Sequence, residues 1–149
     1  MASANPARLP ASDDDAILVA RALRLESFFP EFNGELCSKI FPRSGVCGYA
    51  PGECVIEQGE EGRDLFVLLA GSVSVTISMG SAGAEVAILG ETSLLGEVAL
   101  LRDGLRTASA VAIIPTRAFR LMFEDMGYIL QHNPELAAHL QGLAKQRTS

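Results

Sequence analysis

The chain has 149 residues, 48% apolar and 20% charged, with a formal net charge of −6 and a sequence pI near 4.9. That length suits one domain with a core of its own, and that composition excludes disorder. The acid excess argues against a duplex-binding face, which needs clustered cations to displace counterions, so no nucleic-acid partner is expected. A small anion is still within reach if positive charge is focused locally.

No stretch reads as membrane-spanning. The best apolar run, Leu65 to Ala70, falls far short of the ~20 residues a spanning helix needs. Met1 to Pro10 lacks the apolar core of a signal peptide and leads into Asp13-Asp14-Asp15, so a cytoplasmic location is expected. Cys37, Cys47 and Cys54 are odd in number and form no C-x-x-C pair. Neither a zinc site nor a disulfide framework is indicated, and three reduced, half-buried thiols are expected.

In chain order, residues 1–48 read as a helical segment. Asp13 to Asp15 offer N-caps and favourable charge at a helix start, and Leu18, Ala22 and Leu25 follow as one apolar stripe. Pro30 and Asn33-Gly34 interrupt it, and Glu35 to Phe41 predicts a second short helix. Residues 49–122 read as short strands divided by glycine turns. In Ser72 to Ser78, Val73, Val75 and Ile77 alternate with hydroxyl residues, the period of a strand with one apolar face. Asp64 to Ala70, Glu85 to Leu89 and Thr107 to Ile114 are further strand candidates. Frequent short strands with regular turns predict a sandwich or barrel over βαβ units. Residues 123–149 read as helical, with Asn133-Pro134-Glu135 as a start signal and Leu136, Leu140, Leu143 and Ala144 as a stripe. That stretch is too short for an appended helix-turn-helix, so an output domain is expected on another chain.

One stretch interrupts the strand pattern: Leu95-Gly96-Glu97-Val98-Ala99-Leu100-Leu101-Arg102-Asp103-Gly104-Leu105-Arg106-Thr107-Ala108-Ser109. Gly96 lets the backbone turn where a side chain would obstruct a ligand. Glu97 to Leu101 can form one helical turn with free N–H groups. Arg106 can present a planar fork to phosphate oxygens, and Thr107 adds a hydroxyl beside it.

These residues resemble the phosphate-binding cassette of the cyclic-nucleotide-binding domain family, at Gly96, Glu97, Ala99, Leu100, Leu101, Arg106, Thr107 and Ala108. Tyr49 to Ile56 resembles the family's opening strand, and Gln58 to Val73 its next turn-and-strand pair. Leu95, Leu105 and Thr92 depart from the family pattern, which favours an aromatic, a proline and a glycine there. The resemblance implies a mainly β fold: a jelly-roll-like β-roll (double-stranded β-helix) with N-terminal helices, a short cassette helix and C-terminal lid helices. It implies that Glu97 accepts a hydrogen bond from a ribose 2′-OH and that Arg106 pairs with a cyclic phosphate. Gly96 and the amides around Val98 and Ala99 complete the cradle, with Thr107 and Ala108 beside it. Leu140, Leu143 and Arg147 are candidates for the lid over the purine.

Each of these residues also has a plainer reading. Gly96-Glu97 alone is a common turn, and Arg106 alone is more often a surface or ion-paired arginine; ten positions apart in a β context they gain force together. His132 and His139 lie seven apart with no third ligand, so no metal site is expected. Arg102 reads as a solvated loop residue. The expected function is binding of cAMP, or cGMP, by a single domain over residues 1–149. That domain has no cofactor and no enzymatic activity, and it signals to an effector protein or domain through its C-terminal helix. The alternative is a β-roll interaction module with weak or no nucleotide binding.

Overall fold

The computed structural model describes residues 8–26, 29–79, 82–101 and 104–148, apart from the side chains of Ala99, Leu101, Tyr128, Arg147 and Thr148. Helix α1 (Asp13–Ala22) begins at Ser12, whose hydroxyl accepts from the Asp15 N–H while the Asp15 carboxylate accepts from the Ser12 N–H. The cap is therefore Ser12, and the three aspartates form the first turn, where their charge opposes the helix dipole. Helix α2 (Gly34–Ile40) is capped by Asn33, whose side chain accepts from Leu36 N–H at 2.8 Å.

Eight strands follow. They are β1 (Gly45–Tyr49), β2 (Cys54–Ile56), β3 (Leu65–Ala70), β4 (Val73–Met79), β5 (Ala82–Leu89), β6 (Leu94–Leu95), β7 (Ser109–Ala112) and β8 (Thr116–Leu121). The five-residue helix α3 (Glu97–Leu101) sits between β6 and β7, and α4 (Phe123–His132) and α5 (Pro134–Thr148) end the chain. The strands form two antiparallel four-stranded sheets, ordered β1-β8-β3-β6 and β2-β7-β4-β5. The fold is thus a β-roll with flanking helices.

The register explains why β3 is apolar throughout. Leu65, Val67 and Leu69 face a core shared with the helices, with Leu23, Phe41, Met126 and Leu136. Phe66 and Leu68 face a second core between the sheets, with Tyr49, Val73 and Ala110. A strand covered on both faces has no reason to alternate.

The stretch from Tyr49 to Ile56 is two strands in different sheets, joined by a turn at Pro51-Gly52 with Gly52 at φ +90°. Strand β1 already begins at Gly45, inside the segment read as helical. The Thr107 to Ile114 candidate shortens to Ser109–Ala112, and β8 follows it after Pro115. Helix α5 begins as expected, with the buried Asn133 accepting from Leu136 N–H at 3.1 Å. The cysteines are free; Cys37 and Cys47 are fully buried, deeper than expected, and burial pushes the Cys37 thiol up to about 12. Among the described residues, no helix is long and apolar enough to cross a membrane.

Candidate functional site

The site is assembled where β6 runs out. Pairing of Phe66 with Leu95 and Val67 with Leu94 sets β6 beside the start of β3, so Gly96 emerges against the Asp64 backbone. Gly96 has φ +95°, and a Cβ there would lie 2.6 Å from Arg106 Nη1 and 2.7 Å from the Asp64 carbonyl oxygen. Both the backbone conformation and the space require glycine. Helix α3 starts at the next residue, and Glu97 is only 1% exposed. Its Oε2 is enclosed and accepts no hydrogen bond among the described residues, although the residue has other interactions.

Arg106 is 7% exposed. Nη1 donates to the Gly96 carbonyl at 3.4 Å and Nη2 to the Asp64 carbonyl at 3.0 Å. The guanidinium carbon lies 5.8 Å from the centre of the Phe66 ring. Among the described residues Arg106 joins no salt bridge. Burial lowers its pKa below the usual arginine value; the nearby Asp64 charge opposes that effect and Arg120 adds to it. A guanidinium offers five donors, so the two carbonyl bonds leave capacity for an anion. The Asp64 carboxylate is engaged elsewhere, with Arg120 Nη2 at 2.7 Å and the Phe123 N–H at 3.1 Å.

Gly96, Glu97, Val98, Arg106, Thr107 and Ala108 all line one cavity of about 290 Å³. Its far wall is apolar: Ile56 from β2, Val75 and Ile77 from β4, and Val86, Ala87 and Leu89 from β5. Leu95 joins the floor, and Gln146 of α5 reaches the rim. The cavity therefore pairs a cationic, hydrogen-bonding end with an apolar slot, the arrangement expected for a ligand with an anionic head and a flat apolar body.

The polar end is the part of the cavity that the cassette residues mark in the sequence. The apolar wall went unnamed, although the Val73-Val75-Ile77 alternation marks the face that supplies part of it. Two of the three lid candidates lie away from the cavity in this structure. Leu140 is fully buried in the core beside the helices and Leu143 packs against that core, so neither reaches the cavity. The side chains of Ala99 and Arg147, and the whole of Arg102, lie outside the described residues. Among the described residues no cluster of His, Cys, Asp and Glu could hold a metal ion.

Comparison with known proteins agrees with this geometry. The family model described as "Cyclic nucleotide-binding domain" matches residues 47–133. The cyclic AMP receptor protein of Thermus thermophilus is 33% identical over 100 residues, covering 66% of this chain and 46% of that protein. Human cyclic nucleotide-gated channel beta-1 is 36% identical over 102 residues, covering 66% of this chain and 8% of the channel. The crystal structure of Thermus thermophilus catabolite activator protein superposes with a TM-score of 0.65 at 29% identity, covering 80% of this chain and 56% of that one. The chain thus spans less than half the length of the receptor protein and of the channel. By the matched model, the relatives and the site geometry, the chain belongs to the cyclic nucleotide-binding domain family.

Proposed function

We propose that this domain binds a 3′,5′-cyclic nucleotide, cAMP in preference to cGMP, and acts as a ligand sensor without catalysing a reaction. The observation that carries this reading is Arg106, a buried guanidinium that ends on a cavity and joins no salt bridge among the described residues. A cyclic phosphate would meet its open donors and offset its desolvation. Glu97 would accept from the ribose 2′-OH, Gly96 and Val98 would line the phosphate end, and the apolar side chains of β4 and β5 would form one wall against the purine. Thr107 and Ala108 flank the same end, and the Thr107 hydroxyl could bond a phosphate oxygen.

Gln146 supports the adenine preference, since a carboxamide can pair with both the 6-amino group and N7 of adenine. The name of the bacterial cyclic AMP receptor supports it as well. Helix α5 packs against α3 and α4, so a nucleotide touching Gln146 would favour one placement of α5 over another. That is a population shift by differential affinity, read by an effector protein or domain. Such a sensor would work in the cytoplasm.

Calorimetric titration with cAMP, cGMP and 2′-deoxy-cAMP tests the reading. One site per chain is expected, with cAMP tightest and the deoxy analogue weaker. No heat and no thermal shift at millimolar nucleotide would leave an interaction module of the same fold as the better description.

A further inference from the structure

The backbone that carries Arg106 is held by a segment far upstream in sequence. The Arg106 N–H donates to the Glu60 carbonyl and the Gly59 N–H to the Arg106 carbonyl, both at 2.9 Å, while the Gly62 N–H donates to the Gly104 carbonyl at 2.7 Å. A bridge between Glu61 and Leu105 lies between these bonds. This short antiparallel ladder places Gly62 directly against the guanidinium. A Cβ at Gly62 would lie 3.1 Å from Nη2, 3.2 Å from Nε and 3.4 Å from Cζ of Arg106. Three such similar distances describe an atom resting on the guanidinium group, tighter than ordinary contact. The Phe66 ring is a further neighbour of the same guanidinium, 5.8 Å from Cζ.

Gly59 and Gly62, the two ladder glycines on the upstream segment, differ in why they are glycines. Gly59 has φ +89°, and among the described residues no atom outside its chain neighbours would lie within 4 Å of a Cβ there, so the backbone conformation requires glycine. Gly62 is not among the positive-φ residues, so alanine could adopt its backbone, and only the space for Arg106 is at stake.

We infer that Gly62 is a positioning residue for the ligand-binding arginine, its missing side chain leaving the slot in which the Arg106 guanidinium is held toward the cavity. This rests on the nucleotide-binding reading above. The guanidinium is fastened to two carbonyls, so it cannot yield without moving its remaining donors, and misplacement of a charged contact by a fraction of an ångström weakens the ligand it serves.

The test is a double-mutant cycle on cAMP affinity with Gly62→Ala, Arg106→Lys and the pair. Gly62→Ala is expected to weaken cAMP about tenfold with an unchanged melting temperature. In the Arg106→Lys background, where no guanidinium fills the slot, the same change should cost less than about twofold. A second readout needs only the wild type and Gly62→Ala: the affinity ratio for the two phosphorothioate diastereomers of cAMP, which reports where the cation sits against the two exocyclic oxygens. A shifted ratio supports the inference, and decides the matter if Arg106→Lys binds too weakly to measure. Wild-type affinity in Gly62→Ala, an equal loss in both backgrounds, or an unshifted ratio would overturn it while leaving the functional reading intact. A wild type that binds no nucleotide overturns both.

Discussion

Burying a guanidinium costs desolvation energy, and a structural arginine usually recovers it from a carboxylate. Arg120, largely buried, follows that rule by pairing with Asp64 at 2.7 Å, whereas among the described residues Arg106 bonds only main-chain carbonyls. Glycines make this possible, Gly96 on one side of the guanidinium and Gly62 on another. Thr92 shows the opposite case. It stands where the family favours glycine, and its φ is +69°, left-handed backbone that a β-branched residue occupies at a cost. The main chain is committed to that shape by the Thr92 N–H donating to the Leu68 carbonyl at 2.7 Å. Thr92→Gly should therefore stabilise the fold by about 0.5–1 kcal/mol after allowing for the unfolded-state entropy of glycine. Urea denaturation measures this, and a destabilised glycine variant would contradict the strain.

At the scale of elements, ion pairs and caps join helices to the roll. Arg117 of β8 reaches Asp15 of α1 with two bonds, at 3.1 and 2.7 Å. Asn133 caps α5 while donating to the Arg24 carbonyl at 3.2 Å at the end of α1. The Arg117 hydrogen bond is the main cause that holds the Asp15 carboxyl below its ordinary 3.8. A carboxyl lowered in the folded state adds stability that is complete above the unfolded value and is lost as pH falls through the folded one. Asp15→Asn should thus cost about 1 kcal/mol at pH 7, a modest figure because Arg117 is half-exposed and screened by solvent. The difference between the two proteins should shrink as pH drops below 3.8, and a difference independent of pH would contradict the ion pair. These links also explain what the sequence hid. Strand β8 escaped because Pro115 precedes it and Arg117 and Arg120 interrupt its apolar pattern, and their partners lie 102 and 56 positions away. Strand β6 has two residues, too few to show any period.

Across the whole molecule, two cores divide the work: one fixes the helices on the roll, and the other sets the sheets around the cavity. The polar end of that cavity was legible because Gly96, Glu97, Arg106 and Thr107 fall within a dozen positions, close enough for local spacing to carry the chemistry. The apolar wall, the Gly59 to Gly62 brace and Gln146 were not, since each joins the site only through tertiary pairing. Leu140 and Leu143 pack with the core beside the helices, and a helical stripe shows that one face is buried but not against what. A net charge of −6 is compatible with an anionic ligand here because the cation is enclosed and focused at one point. The most direct measurement is cAMP titration of Arg106→Ala beside the wild type, with melting curves to confirm folding. Removing the buried cation should weaken binding at least about a hundredfold with the fold retained, whereas a folded variant binding cAMP as well as the wild type would contradict the account.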